Sequence, residues 1–155
     1  MLNFIDSLKE LLTLVRASEL ADDANTKSVI QSAELYGDRK YLASLRVLFP
    51  SIEAIINTMV ARAGEKPDGF RGLVEKARWL EQRGHIPADV SNAFGVFTGR
   101  NRVLHGNFSP PEHYVFPLCL LAFRYLQRLL MQYRPDTVTS AGPAFREPAE
   151  VKPRD

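Results

Sequence analysis

Residues 38–63, DRKYLASLRVLFPSIEAIINTMVARA, carry the pattern that decides the fold of this chain. Apolar residues recur there at alternating spacings of four and three, at Tyr41, Leu45, Leu48, Ile52, Ile55 and Met59. This spacing places them on one face of an α-helix. A second apolar row flanks the first and consists of Leu42, Phe49, Ile56 and Val60. The helix is therefore predicted to bury a broad face, with either a kink or a break near Leu48 because Pro50 lacks a backbone N–H.

The same spacing predicts further amphipathic helices on both sides of this segment, at about residues 3–20, 70–84, 87–106 and 109–133. A short helix capped by Asn25 and ended by Gly37 is less clearly marked. The final helix is apolar on nearly all sides, which indicates that it is central to the bundle or half covered by a second subunit. We therefore predict an all-α fold, an antiparallel bundle of four to five helices over residues 1–133, followed by a Pro-rich flexible tail over residues 134–155.

The composition favours a cytoplasmic protein that does not interact with a membrane. The N-terminus carries Asp6, Lys9 and Glu10, so it lacks the uncharged core of a signal peptide. The longest apolar run, residues 114–123, is about half the length of a membrane span. Cys119 is the single cysteine and cannot form an intrachain disulfide, which fits a reducing compartment.

The net charge of +2 is too small to predict nucleic-acid binding by itself. A local basic patch remains open, because six cations lie within about thirty residues of each other: Arg71, Lys76, Arg78, Arg83, Arg100 and Arg102. Trp79 lies among them and has two interpretations. It either stacks a base beside Arg78 and Arg83 or packs against the core.

Residues 100–106, RNRVLHG, are the chemically suggestive part of the sequence. On a helix, Asn101 lies in the apolar stripe of Phe94, Phe97 and Leu104, and His105 is about 40° away. Burying a polar pair on an apolar face costs a few kcal/mol of folding free energy unless the pair is hydrogen-bonded, so the presence of Asn101 and His105 there requires a structural or a functional explanation. The structural interpretation is a helix C-terminus stabilised by a histidine and the following glycine.

The functional interpretation of the same segment is metal-independent phosphate chemistry. A histidine exchanges protons near neutral pH, and an arginine binds a phosphate through two hydrogen bonds. Together they would support attack of an RNA 2′-hydroxyl on the adjacent phosphodiester. Arg100 and His105 are about 140° apart around an ideal helix, which favours a site shared between two copies across a two-fold axis.

This segment resembles the Arg-X4–6-His signature of the HEPN superfamily, with Gly106 also typical. Residues 37–41 leading into residues 51–53 are similar to the long second helix of many bacterial members, and residues 80–87 to the linker before their motif helix. The resemblance covers about residues 1–133. It implies a helical bundle that dimerises with its motifs facing one another. Many members are metal-independent endoribonucleases of toxin–antitoxin or other defence systems.

The resemblance also implies roles for single residues. Arg100 would bind the scissile phosphate, His105 would act as the acid and base, and Asn101 would orient the site. Arg102 and Asn107 are assigned to RNA binding, and Asn107 occupies the position at which one toxin subgroup carries a tyrosine that its antitoxin modifies. No cofactor or metal ion is expected.

Glu53 is a further candidate, which either supports the Arg100 and His105 side chains from across the bundle or faces water. His85 and His113 have no spaced ligand partner for a metal. The expected partners are a second copy of the chain, RNA, and an antitoxin or regulatory protein. A different class of function stays open: a non-catalytic HEPN module that binds a protein, such as a nucleotidyltransferase-like antitoxin, or a nucleotide. A purely structural bundle subunit is a third hypothesis.

Overall fold

The computed structural model describes residues 4–98 and 111–135. These residues form six α-helices and no strand, which confirms the predicted all-α class. The helices are α1 (Phe4–Ser18), α2 (Asp23–Gly37), α3 (Tyr41–Arg62), α4 (Leu73–Gln82), α5 (Ala88–Thr98) and α6 (Glu112–Gln132), with a 3-10 turn at Pro67–Gly69. The predicted count of four to five helices is therefore wrong.

The miscounted element is α2, a regular helix of 15 residues. It buries only Val29 and Ser32, so its apolar periodicity is weak although its helical geometry is complete. Its N-terminal cap is Asp22 rather than Asn25, because the Asp22 carboxylate accepts a hydrogen bond from the Asn25 backbone N–H at 2.7 Å. The helix ends at Gly37, as predicted.

The central helix α3 runs unbroken through Pro50 for 22 residues, so the alternative of a break near Leu48 is wrong. Pro50 and Arg46 are both exposed, which puts the interrupted backbone hydrogen bond at the surface, where water can replace it. The opposite face is the core, as predicted, with buried Leu42, Leu45, Leu48, Phe49, Ile52, Ile55, Ile56, Met59 and Val60. This helix contacts α2, α4 and α6.

Two buried serines join α2 to α3. The Ser32 hydroxyl donates to the Ser44 carbonyl at 2.7 Å, and the Ser44 hydroxyl donates to the Ser32 carbonyl at 2.7 Å. Cys119 of α6 donates its thiol proton to the Ser44 hydroxyl at 3.3 Å. Because both serine side chains are small and fully enclosed, the two helix backbones approach closely and every polar atom of the contact is satisfied.

One side of α6 is buried and the other is not. The buried side includes Val115, Cys119, Ala122, Phe123, Tyr125, Leu126 and Leu129. Among the described residues, all four large apolar side chains that are exposed also lie on α6, and they are Tyr114, Phe116, Leu121 and Met131. Within the described residues, α6 is therefore central to the bundle on one side and exposes Tyr114, Leu121 and Met131 on the other, while Phe116 contacts the rings of Tyr36 and Tyr41.

By length and composition alone, two helices of the described chain are apolar enough to cross a membrane: α3 and residues His113–Gln132 of α6. In the bundle, 56% of the α3 segment and 39% of the α6 segment are buried. Core helices of globular proteins meet the same criterion, so the location of the protein stays a prediction.

Substitutions at Ser44 test whether the serine contact sets the spacing of α2 and α3. Ser44→Ala removes one hydrogen bond and should lower the free energy of unfolding by about 1 kcal/mol. Ser44→Val forces extra volume into the contact and should cost about 1–3 kcal/mol more. Urea denaturation followed by circular dichroism measures both, with Ala43→Val on the exposed side of α3 as the matched control. Equal losses for Ser44→Val and Ala43→Val would contradict the close contact.

Candidate functional site

The motif residues predicted from the sequence, Arg100, Asn101, Arg102, His105 and Asn107, lie outside the described residues. The structure does describe the two helices on either side of them. Helix α5 ends at Thr98, and α6 begins at Glu112. The ends of these two helices fix where the described chain stops before the motif and resumes after it.

A buried contact holds α5 against α6. The Tyr125 hydroxyl donates to the Val90 carbonyl at 2.6 Å, and the Tyr125 ring meets Phe94 edge-on with centroids 4.3 Å apart. All three residues are buried. An exposed ion pair between Asp89 and Arg128 lies in the same helix pair. The first two turns of α5 are thus held against α6 by a hydrogen bond, a ring contact and an ion pair.

Burial raises the pKa of the Tyr125 phenol, and the Asp89 carboxylate adds to the increase while Arg128 opposes it. The phenol therefore stays protonated and keeps its proton for the Val90 carbonyl. Sequence reasoning missed this contact because Tyr125 lies inside an apolar run, where its spacing indicates burial but not the partner of its hydroxyl.

Glu53, the one predicted site residue that the structure describes, is exposed on α3. Exposure agrees with the alternative in which its carboxylate faces water, and whether it also reaches the motif is not tested by the described residues. One turn further along α3, Asn57 is half-buried, and its Oδ1 has no hydrogen-bond partner within residues 4–98 and 111–135. This stretch of α3 therefore places two polar side chains beside the core face of the helix.

His85, which the sequence analysis places in a loop, is buried, with 1% of its surface exposed. Its Nδ1 lies 2.8 Å from the Arg134 carbonyl, so the ring donates from Nδ1, and the Arg134 N–H donates back to the His85 carbonyl at 2.9 Å. These two bonds tie the chain after α6 to the α4–α5 connection. Arg134, where the flexible tail was expected to begin, is therefore hydrogen-bonded to the bundle, and residues 136–155 lie outside the described residues.

Only some of the residues in the basic patch expected from the sequence are exposed on the described part of the chain. Lys76 is 7% exposed and does not contribute to it, whereas Arg71, Arg78 and Arg83 are exposed. Trp79 is half-buried and packs against the core, which agrees with the packing interpretation. Its ring also faces the Arg83 guanidinium, 4.9 Å from the ring centroid.

Within the described residues, no group of three or more His, Cys, Asp or Glu side chains is arranged to hold a metal ion. His113 is exposed at the start of α6, beside Tyr114 at 4.3 Å between ring centroids.

No protein-family model, curated protein or solved structure matches the chain.

The substitution Tyr125→Phe tests the α5–α6 contact. It should lower the free energy of unfolding at pH 7 by about 1 kcal/mol, because one buried hydrogen bond is lost. The raised pKa in the folded state means that unfolding releases the phenolic proton above about pH 10, so stability is complete below that pH and falls as the pH rises further. The variant should lose this part of the alkaline destabilisation.

Denaturant titrations between pH 7 and 11 measure both effects. Tyr114→Phe, on the exposed side of α6, is the matched control and should change the free energy at pH 7 by less than about 0.5 kcal/mol. An alkaline loss of stability that is identical in the unsubstituted chain and in Tyr125→Phe would show that the phenol does not hold α5 against α6.

Proposed function

We propose that the protein is a metal-independent endoribonuclease of HEPN type, related to toxin or defence systems, with a composite active site at a homodimer cleft. The observation that carries the proposal is the Arg100…His105 motif, placed in sequence between α5 and α6 of an all-α bundle. The buried contact of Tyr125 with Val90 and Phe94 supports it, because a catalytic segment needs rigid flanking elements.

In this proposal the reaction is transesterification within RNA. His105 removes the proton of a 2′-hydroxyl, whose oxygen attacks the adjacent phosphorus. The bond from phosphorus to the 5′-oxygen breaks, and an imidazolium returns a proton to that oxygen, leaving a 2′,3′-cyclic phosphate and a 5′-hydroxyl. Arg100 binds the non-bridging oxygens and stabilises their extra charge in the transition state. Asn101 orients the site, and Arg102 and Asn107 contact the RNA.

The second subunit is proposed to dock on the exposed side of α6. Tyr114 and Leu121 are seven residues apart on this helix and are 66% and 48% exposed. Met131 is ten residues beyond Leu121 and is 61% exposed. Around the helix, Tyr114 and Leu121 lie about 20° apart and Met131 lies about 80° further on, so the three share one side of α6, the exposed stripe, with Arg124 and Arg128. Large apolar side chains that are exposed together on one side of a helix favour an interface.

A second candidate function is a non-catalytic HEPN module that uses the same stripe to bind a protein or that binds a nucleotide. The exposed stripe favours it, since it would serve a partner such as a nucleotidyltransferase-like antitoxin as well as a second copy. The small net charge of +2 also favours it, because ribonucleases gain affinity from a basic surface. A cytoplasmic location is proposed for either candidate, because Cys119 is buried as a thiol.

The decisive experiment is incubation of RNA with the purified chain in EDTA, followed by gel analysis. We expect cleavage that is unaffected by EDTA and that falls about 10²–10⁴-fold in His105→Ala, the range for loss of a general acid–base group. Arg100→Ala should fall similarly, whereas Arg16→Ala on the exposed side of α1 should cleave normally. Absence of cleavage by the unsubstituted chain, or equal cleavage by His105→Ala, would refute the ribonuclease.

The proposed interface is tested by the substitution Leu121→Glu, which replaces the central apolar side chain of the exposed stripe by a charged one. We expect light scattering after size exclusion to report a dimer for the unsubstituted chain and a monomer for the variant, because burying a carboxylate in an interface is costly. Ala43→Glu on the exposed side of α3 is the matched control and should remain dimeric. A monomeric unsubstituted chain, or an unchanged dimer for Leu121→Glu, would contradict this interface.

A further inference from the structure

A cleft of about 590 Å³ lies on the outer face of α4 and the residues before it, and it is lined by Phe70, Arg71, Gly72, Val74, Glu75, Arg78, Trp79 and Gln82. Its volume is in the range of small-molecule sites. The lining residues of α4 occupy the side opposite to the buried Leu73, Ala77 and Leu80. The α4 side chains that line the cleft are therefore not the ones that pack in the core.

The aromatic part of this cleft is Trp79 with Phe70. Their ring centroids are 5.8 Å apart and the ring planes are inclined by 63°. Both residues are half-buried, so the rings are held in place by packing while part of their surface is open to solvent. The exposed Arg83 guanidinium lies 4.9 Å from the Trp79 ring centroid and covers one face of the indole. A nucleobase that stacks on this face takes the place of the guanidinium, whose exposed side chain is then free to bind a phosphate.

The charged part of the cleft is mainly cationic. Arg71 and Arg78 line it and are exposed, and Arg83 extends the positive charge past Trp79. One carboxylate, Glu75, also lines it, and its Oε2 accepts a hydrogen bond from the Arg71 backbone N–H at 2.8 Å. That bond stabilises the start of α4 and fixes the position of the carboxylate, which reduces the positive charge of the cleft. An aromatic ring flanked by three arginines matches the flat bases and the phosphates of a single strand.

The position of the cleft relates it to the motif segment. A five-residue connection folds α5 back against α4, and the two helices are in contact. Short connections favour antiparallel neighbours, an arrangement that would place the first residues of α4 at the same end of this helix pair as Thr98, the last residue of α5. Phe70 and Arg71 would then lie toward the point from which the chain continues to Arg100.

We propose that this cleft binds single-stranded RNA, with a base stacked on Trp79 and the adjacent phosphates bound by Arg71 and Arg78. The choice of RNA rests on the proposed function, whereas the stacking and charge contacts rest on the geometry of α4. The cleft extends the RNA path beyond the motif and fixes where the strand runs on the surface.

Trp79 is the only tryptophan of the chain, so its fluorescence reports on this cleft directly. The test uses the full chain with His105→Ala, to keep the RNA intact, titrated with a ten-nucleotide single-stranded RNA in EDTA. We expect saturable quenching of the tryptophan emission. Anisotropy of a labelled RNA should report about tenfold weaker binding to Trp79→Leu, since a stacked base is lost.

The salt dependence separates the two kinds of contact. Arg71→Gln and Arg78→Gln should each make the slope of log K against log salt shallower by about 0.7, the value for one phosphate of a single strand. Trp79→Leu should lower the affinity without changing the slope. Arg16→Gln is the matched control and should change neither. The arginine substitutions are at exposed positions and decide the question even if Trp79→Leu fails to fold.

Three results would overturn this inference: no binding, binding that Trp79→Leu and Arg78→Gln leave unchanged, or equal affinity for a polyphosphate of the same charge. The last would mean that the cleft recognises charge and not bases. Cleavage by the unsubstituted chain without binding at the cleft would refute the cleft and leave the ribonuclease intact. Binding that depends on Trp79, without cleavage, would support the cleft and refute the ribonuclease.

Discussion

The hydrogen-bonded contact between Ser32 and Ser44 is the constraint on which the rest of the bundle depends. Helix α2 buries little apolar surface of its own, so its position is set by a close approach to α3 that only small side chains allow. The exchange of two hydroxyl-to-carbonyl bonds satisfies the polar atoms that this approach encloses. The Cys119 thiol of α6 also donates to Ser44, so α2, α3 and α6 are joined by one buried group of hydrogen bonds.

Helix α6 connects this core to the functional proposals. Its inner side packs on α3 and, through Tyr125, holds the start of α5, which leads into the motif. Its outer side presents Tyr114, Leu121 and Met131 to solvent. A partner on the outer side would thus contact the same helix that holds the start of α5, and close-packed interiors transmit displacements between such contacts.

The charge distribution bears on the proposal of RNA binding, because the net charge of the chain is only +2. Lys76 is buried in the bundle, while Arg71 and Arg78 line the cleft that contains Trp79, and Arg83 lies over its ring. A local field of this kind matters more for RNA than the total charge does, because single phosphates are bound at short range and distant charges are screened.

The amino-acid sequence by itself determined the approximate positions of five of the six described helices and which side of α3 is buried, because a local 3.6-residue period encodes both. It also supplied the Arg100…His105 motif, which lies outside the described residues. Only the tertiary structure decided that α2 is a full helix, that His85 binds the Arg134 backbone, and that the Tyr125 hydroxyl meets Val90. These contacts join residues far apart in the chain, and the spacing of apolar residues does not indicate which residues they will contact. Helix α6 was predicted to be apolar on nearly all sides, whereas the structure buries one side and leaves Leu121 exposed on the other together with Arg124 and Arg128.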